Sequence, residues 1–291
     1  MHINMKYYIV TIGAIFIALG IGIIVGFNLN YDQELSKQQA VVISDLDKRF
    51  EELKATNDNL EDSLGKLTEE HDEAIEFINQ NTDKLIVGVL PERSIGIIST
   101  NENNDYNSEI SETLTKANAS VAFNIVIKDN LLDEAKYEEL STNLGTEIKN
   151  SEALINFIVD ALNDEGNKDK ITYLQDAGMI TINSLSDNYA KYDSVVITGG
   201  SESKDREEVI KKLDKTLIPK LKENNKYVVG VQHTNVKFSY IDLFKEEKIS
   251  TIDNIDEGVG KVSLVLELEN IKVYGNYGRL ETADSLMPYK K

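Results

Sequence analysis

The hydrophobic pattern changes period twice along the chain. It begins with an unbroken apolar run, Tyr7 to Phe27 (YYIVTIGAIFIALGIGIIVGF), with no charge between Lys6 and Asp32. A helix needs about 20 apolar residues to cross about 30 Å of hydrocarbon. The run predicts a membrane-spanning helix over 7–28, after a short N-terminal segment, 1–6. From about Ser36 to Ile78 the apolar residues follow a seven-residue period, with no proline and a single glycine, Gly65. One set is Ile43, Phe50, Asn57, Leu64, His71 and Ile78; the other is Leu46, Leu53, Leu60, Leu67 and Ala74. These are the a and d positions of a coiled coil, and four successive leucines at d are a specific signal. Asn57 at an a position favours a parallel two-stranded register. A coiled-coil stalk over 34–82 is expected, and forty-odd helical residues reach about 60 Å. The alternative is a single amphipathic helix lying along a globular domain.

Beyond Thr82 short apolar runs alternate with amphipathic stretches. Strands are expected at 94–99, 120–127, 179–182, 194–198, 227–232 and 249–252. Helices are expected at 107–116, 152–162, 171–177, 204–223 and 259–268. This order predicts an α/β fold with a mostly parallel, Rossmann-like sheet covered on both faces, in a domain spanning 84–291. Ligands of such sheets bind beyond the carboxyl ends of the strands. Three segments are expected there: the polar loop Asn101–Asp105, Gly199-Gly200-Ser201, and Gln232-His233-Thr234-Asn235. Gly199, Gly200, Ser201 and His233 are therefore the candidate ligand residues.

None of these segments carries a complete chemical motif. Gly199-Gly200 lacks both the GxGxxG spacing and the lysine of a phosphate loop. Ser201 is not in G-x-S-x-G, since position 203 is serine. The acidic loop lacks EF-hand spacing. His233 has no second metal ligand near it in sequence. No catalytic residue, cofactor or metal site is expected.

Composition narrows the partners. Fifty acidic residues against 31 basic give a formal charge of −19. Nucleic acid, which is bound through clustered Lys and Arg, is excluded as a partner. The chain has no cysteine, which removes disulfides, thiolate metal sites and a thiol nucleophile together.

The apolar run ends in Gly26-Phe27 and Asn28 with no A-x-A pattern, so an uncleaved anchor is expected rather than a removed signal. Lys6 precedes the anchor while Asp32 and Glu34 follow it. The positive-inside rule then places the N-terminus in the cytoplasm and the C-terminal domain outside it, on the cell membrane. Ala14, Ala18, Gly22 and Gly26 recur every fourth residue, a small-residue stripe on which two such helices can pack. A homodimer and a further extracytoplasmic protein partner are expected.

The order of segments resembles the copper transport protein B (MctB) family, also called copper transporter or copper transport outer membrane protein. The likeness rests on MKYYIVTIGAIFIALGIGIIVGF, on LIVGVLPERSIGII, and on LTKANASVAFNIVIKDNLLD, in which Ala117-Asn118-Ala119 stands where that family usually has Ala-Gly-Ala. It continues in ISTIDNIDEGVGKVSLVLEL and YGNYGRLETADSLMP, and so covers nearly the full length. The resemblance implies a single-pass membrane protein and a role in copper homeostasis or export. The side chains argue against copper as a tightly held ligand. Copper(I) prefers thiolate and thioether donors. Here there are no cysteines, and the four methionines (Met1, Met5, Met179, Met287) and three histidines (His2, His71, His233) are scattered. A non-enzymatic envelope protein that presents its α/β domain on a dimeric stalk is the expectation; a copper transport component is the alternative.

Overall fold

The computed structural model describes residues 5–204, 207–271 and 274–289, the side chains of 29–34 and 207 excepted. It has two compact units, Met1–Asp72 and Glu73–Lys291.

The first unit is helical throughout its described length. Helix α1 runs from Met5 to Ile86 without interruption, so the apolar run and the heptad segment are one helix. No proline interrupts it. Within its first 24 residues, Met5–Asn28, the most apolar 18-residue stretch has a mean hydropathy of 2.7, and none of it is buried. Ala14, Ala18, Gly22 and Gly26 are all exposed, and the space a Cβ would fill at Gly22 and Gly26 is open. Further along, Ile43, Leu46, Phe50, Leu53, Leu60, Leu64 and Leu67 are 57–69 % exposed. Asn57 donates its side-chain amide to Glu61 one turn on, at 3.3 Å.

From Glu73 the same helix belongs to the second unit, where a different stripe is covered. Ile75, Thr82 and Ile86 are buried while Phe77 and Leu85 stay exposed. Positions 75, 82 and 86 lie on one side of a helix of 3.6 residues per turn, beside the a/d stripe. The helix stops where Gly88 turns left-handed, at φ +71°. That conformation suits glycine and ends helices.

The rest of the second unit alternates strands and helices in chain order: β1 (Ser94–Ser99), α2 (Asn107–Lys116), β2 (Ser120–Ile127), α3 (Tyr137–Leu144), α4 (Ser151–Leu162), α5 (Lys168–Asp176), β3 (Ile180–Leu185), β4 (Ser194–Thr198), α6 (Glu207–Glu223), β5 (Tyr227–Val231), α7 (Ile241–Glu246), β6 (Ser250–Ile252), α8 (Gly258–Glu269) and β7 (Asn276–Tyr277). The strands form one open sheet in the order β3-β2-β1-β4-β5-β6-β7. All neighbouring pairs are parallel except β2 with β3. The expected mostly parallel sheet is present, with one antiparallel edge strand.

Alternation along the strands divides the core between two faces. Ile95 and Ile97 of β1, Val196 of β4 and Val229 of β5 face a cluster with α2, α8 and the end of α1. Ile98, Val195, Ile197 and Val228 face a larger cluster with α3 to α7. On that larger side two strand positions are glycine because aromatic rings fill their side-chain space. A Cβ at Gly96 would lie 2.2 Å from the Phe123 ring, and one at Gly230 would lie 2.2 Å from the Phe244 ring.

Candidate functional site

The strand order reverses direction between β1 and β4: the chain leaves β1 for β2 on one side, and the later strands build out on the other. In parallel sheets this switch point opens a crevice at the carboxyl ends of the strands. All three expected loops meet there, and Tyr106, just after the first of them, reaches across to the other two strand ends.

Tyr106, immediately before α2, occupies the crevice. Its hydroxyl accepts from the Gly199 backbone N–H at 3.0 Å and lies 2.8 Å from the Gly199 carbonyl and 2.9 Å from the Val231 carbonyl. One phenol thus satisfies the ends of both β4 and β5. Burial pushes its pKa well above the ordinary value, so it stays a neutral donor. Asn101 and Asn104 donate their side-chain amides to the Gly200 carbonyl at 3.0 and 3.3 Å. At the start of α2, Asn107 ties the helix to the sheet. It donates to Asn124 at 2.9 Å and accepts from Thr198 at 2.9 Å.

Each expected ligand residue therefore has a structural assignment. Gly199 is glycine because Phe244 and Tyr240 occupy its side-chain space. Gly200 holds φ +86°, and Val236 stands where a Cβ would point. Ser201 pairs its backbone with Phe238 at 3.0 and 2.9 Å, while its hydroxyl closes a turn with Ser203. His233 lies against the Tyr106 ring with centroids 4.1 Å apart. Its Nε2 is 3.0 Å from Glu109 Oε2, and the other oxygen of Glu109 pairs with Lys261 at 2.8 Å. Thr100, Asn101, Tyr106, Gly199, Gly200, Ser201 and Gln232 are all buried. Across the crevice the side chains of Asn101, Asn104 and Tyr106 bond the backbone of the Gly199-Gly200 loop.

Behind this plug lies a group that the sequence did not single out. Asp214 of α6 is fully buried, and among the described residues neither carboxyl oxygen has a hydrogen-bond partner. The Thr100 hydroxyl is the polar group set against it. Burial pushes the Asp214 carboxyl up to about 7, and Glu247 adds to the shift while Thr100 opposes it. A neutral carboxyl is the form such an apolar site favours.

Taken together, these features describe an α/β protein with a self-filled switch point and an N-terminal apolar helix long enough to cross a bilayer. The chain belongs to the MctB family: the profile of that family, described as "Copper transport outer membrane protein, MctB", matches residues 2–288. None of the curated proteins compared with it matches.

The residues fit a resident copper(I) poorly. Met179 is buried in the core, Met287 is half-buried and Met5 lies on the apolar helix. Among the described residues, no three or more His, Cys, Asp or Glu side chains are grouped to hold a metal ion. The sheet is open, ending at β3 and β7, and is not a closed transmembrane barrel.

Proposed function

We propose that this MctB-family chain is a single-pass envelope protein that presents its α/β unit to an extracytoplasmic protein partner from a parallel, dimeric coiled-coil stalk. The observation that carries the reading is the exposed a/d stripe of α1 from Ile43 to Leu67. Water-soluble surfaces rarely leave so long an apolar seam uncovered. A second copy is the occupant with the right chemistry, because both chains would leave the membrane in the same direction and the seam is self-complementary. The small-residue stripe from Ala14 to Gly26 supports the same pairing within the bilayer. Lys6 before the anchor supports a cytoplasmic N-terminus and an outward α/β unit. We assign no catalytic step to the protein.

The absence of native cysteine makes the test direct. Leu60→Cys at a d position should crosslink between chains in membranes under mild oxidation. Asp62→Cys, on the outer face of the same turn, should not. Equal crosslinking at both positions, or at neither, would remove the dimeric stalk. A second reading, a component of copper transport, is supported by the family's description. Under it the chain would handle copper as cargo. Competition against a copper(I) chelator decides this: stoichiometric submicromolar binding would favour the copper reading over the presentation role.

A further inference from the structure

Beside the edge strand β7, away from the plugged crevice, the second unit has a cavity of about 770 Å³. That is the size range of small-ligand sites. Its floor is Glu267 of α8, which is 1 % exposed. The carboxylate is held in place by hydroxyls: Ser250 donates to Oε1 at 2.5 Å, and Tyr227 donates to the same oxygen. Tyr277 supplies a third hydroxyl. The Tyr277 hydroxyl reaches across Gly275, where a Cβ would lie only 2.1 Å from it. The floor is therefore an oriented carboxyl group in a built pocket.

The walls have a matching chemistry. Tyr274 and Tyr289 line the cavity and are 52 % and 63 % exposed. Glu269 and Asp284 stand at the rim, and Asp284 is fixed by the Asn276 backbone N–H at 2.9 Å and its side-chain amide at 3.0 Å. Among the described residues lining the cavity none is cationic. Carboxylates with exposed aromatic faces suit a desolvated cation, which pairs with the acid and lies over the rings. They disfavour phosphate and other anions. The chain's charge of −19 draws cations towards it in the same sense.

We propose that this cavity binds an organic cation, an alkylammonium or guanidinium group, with Glu269 and Asp284 at the rim as counter-ions, Glu267 as a fixed acceptor at the floor and Tyr274 and Tyr289 as its walls. Two sources present that chemistry: a small free amine, or a lysine or arginine side chain of a partner. The assignment does not depend on dimerisation of the stalk.

The test is calorimetric titration of the full chain in non-ionic detergent at about 0.15 M salt, where long-range charge effects are largely screened. The probes are n-butylammonium, a short capped peptide with one central lysine, sodium butyrate and methyl glucoside. Both cations should bind at one site per chain, and butyrate and the glucoside should not. Tyr274→Ala and Glu269→Gln, both at exposed positions, should each weaken the cations roughly 3- to 30-fold. A peptide at least about tenfold tighter than butylammonium assigns the site to a partner's side chain; equal or weaker binding assigns it to free amines. Three results would overturn the proposal. They are cation binding unchanged in both variants, which is diffuse attraction to an acidic protein; butyrate binding as well as butylammonium; and glucoside binding in place of the cations.

Discussion

The α/β unit and the long helix treat apolar side chains in opposite ways. In the unit, Ile95, Ile97, Phe123, Val196 and Val229 are fully covered by their own chain. Along the helix, Leu46, Leu53, Leu60 and Leu67 are each about three-fifths or more exposed. The first region buries its apolar side chains within the chain, and the second leaves them exposed. Burial of a leucine side chain is worth about 1.5–3 kcal/mol, so a row of uncovered leucines is a large unused driving force. The unit should unfold independently of protein concentration, whereas the helix should depend on concentration or on its membrane tether.

The largest expected effect separates these regions outright. In an isolated chain Leu60→Ala removes an exposed side chain and should be close to neutral, since alanine is the better helix former. In a dimer it removes two packed leucines at about 2–5 kcal/mol each. Chain association in detergent, followed by sedimentation equilibrium, should weaken by several orders of magnitude, with the unfolding of the α/β unit unchanged. An unchanged association constant would mean that the seam is not the interface.

Next in size is a change confined to the α/β unit. A Cβ at Gly260 would lie 1.9 Å from the Asn254 carbonyl oxygen and 2.5 Å from its carbon. These are backbone atoms that cannot swing aside. Gly260→Ala should cost about 3 kcal/mol, near the upper end for overpacking. That lowers the melting temperature of a unit this size by roughly 6–12 °C. Differential scanning calorimetry should show that transition move alone; a stalk transition that moves with it would mean the two regions unfold as one.

A smaller effect concerns pH. Asp214 is held at about 7 in the folded unit against 3.8 for an ordinary aspartate. Between those values the folded state keeps a proton that the unfolded chain has released. Its contribution to stability therefore falls as pH rises through this window and levels off above about 7. Urea unfolding at pH 5 and pH 8 should show this loss, with Asp214 accounting for about 2.5 kcal/mol. Asp214→Asn should flatten the slope by that amount. Part of the slope should remain, because burial also raises Glu267 and Asp253. Equal slopes in variant and wild type would mean that Asp214 is charged in the fold.

The same contrast explains which features were legible in the sequence. Continuous apolar runs bounded by polar residues located β1, β2 and β4 with the observed ends, and the amphipathic period did the same for α2. The heptad was visible because it repeats. By contrast β7 is two residues, Asn276 and Tyr277, with no room for a period. α7 is six residues, too short for an amphipathic pattern to emerge. β3 extends to Leu185 through Asn183 and Ser184, polar residues that suit a half-exposed edge. At the crevice the loops were legible but their filling was not. Tyr106 reaches Gly199 and Val231, 93 and 125 residues away, and no local pattern announces such bonds. Glu267 reads in sequence as one more charge on a helix; only the hydroxyls of Tyr227, Ser250 and Tyr277 mark it as a buried, oriented carboxylate.

The smallest expected effect bears most directly on what completes the stalk. Asn57 stands at an a position, flanked a heptad away by Phe50 and Leu64. In a single chain its amide bonds Glu61 on the same helix, at 3.3 Å. In a parallel two-stranded coil it would meet its symmetry mate instead, and the pair costs stability relative to packed aliphatic side chains while it fixes register and strand number. Asn57→Ile in a 36–78 peptide should therefore raise the melting temperature, by about 1 kcal/mol of added stability or more, and loosen the choice of oligomer. If the seam faces water, the same change adds an exposed β-branched residue and should leave the helix no more stable. A wild-type peptide that stays monomeric at high concentration does not by itself separate the two cases, because the membrane anchor raises the effective concentration of one chain near another. A disulfide added at the N-terminus of the peptide restores that tether. If the tethered wild-type peptide remains unfolded, or if the tethered Asn57→Ile variant is less stable than wild type, the parallel dimer fails as the explanation of the exposed leucines of α1.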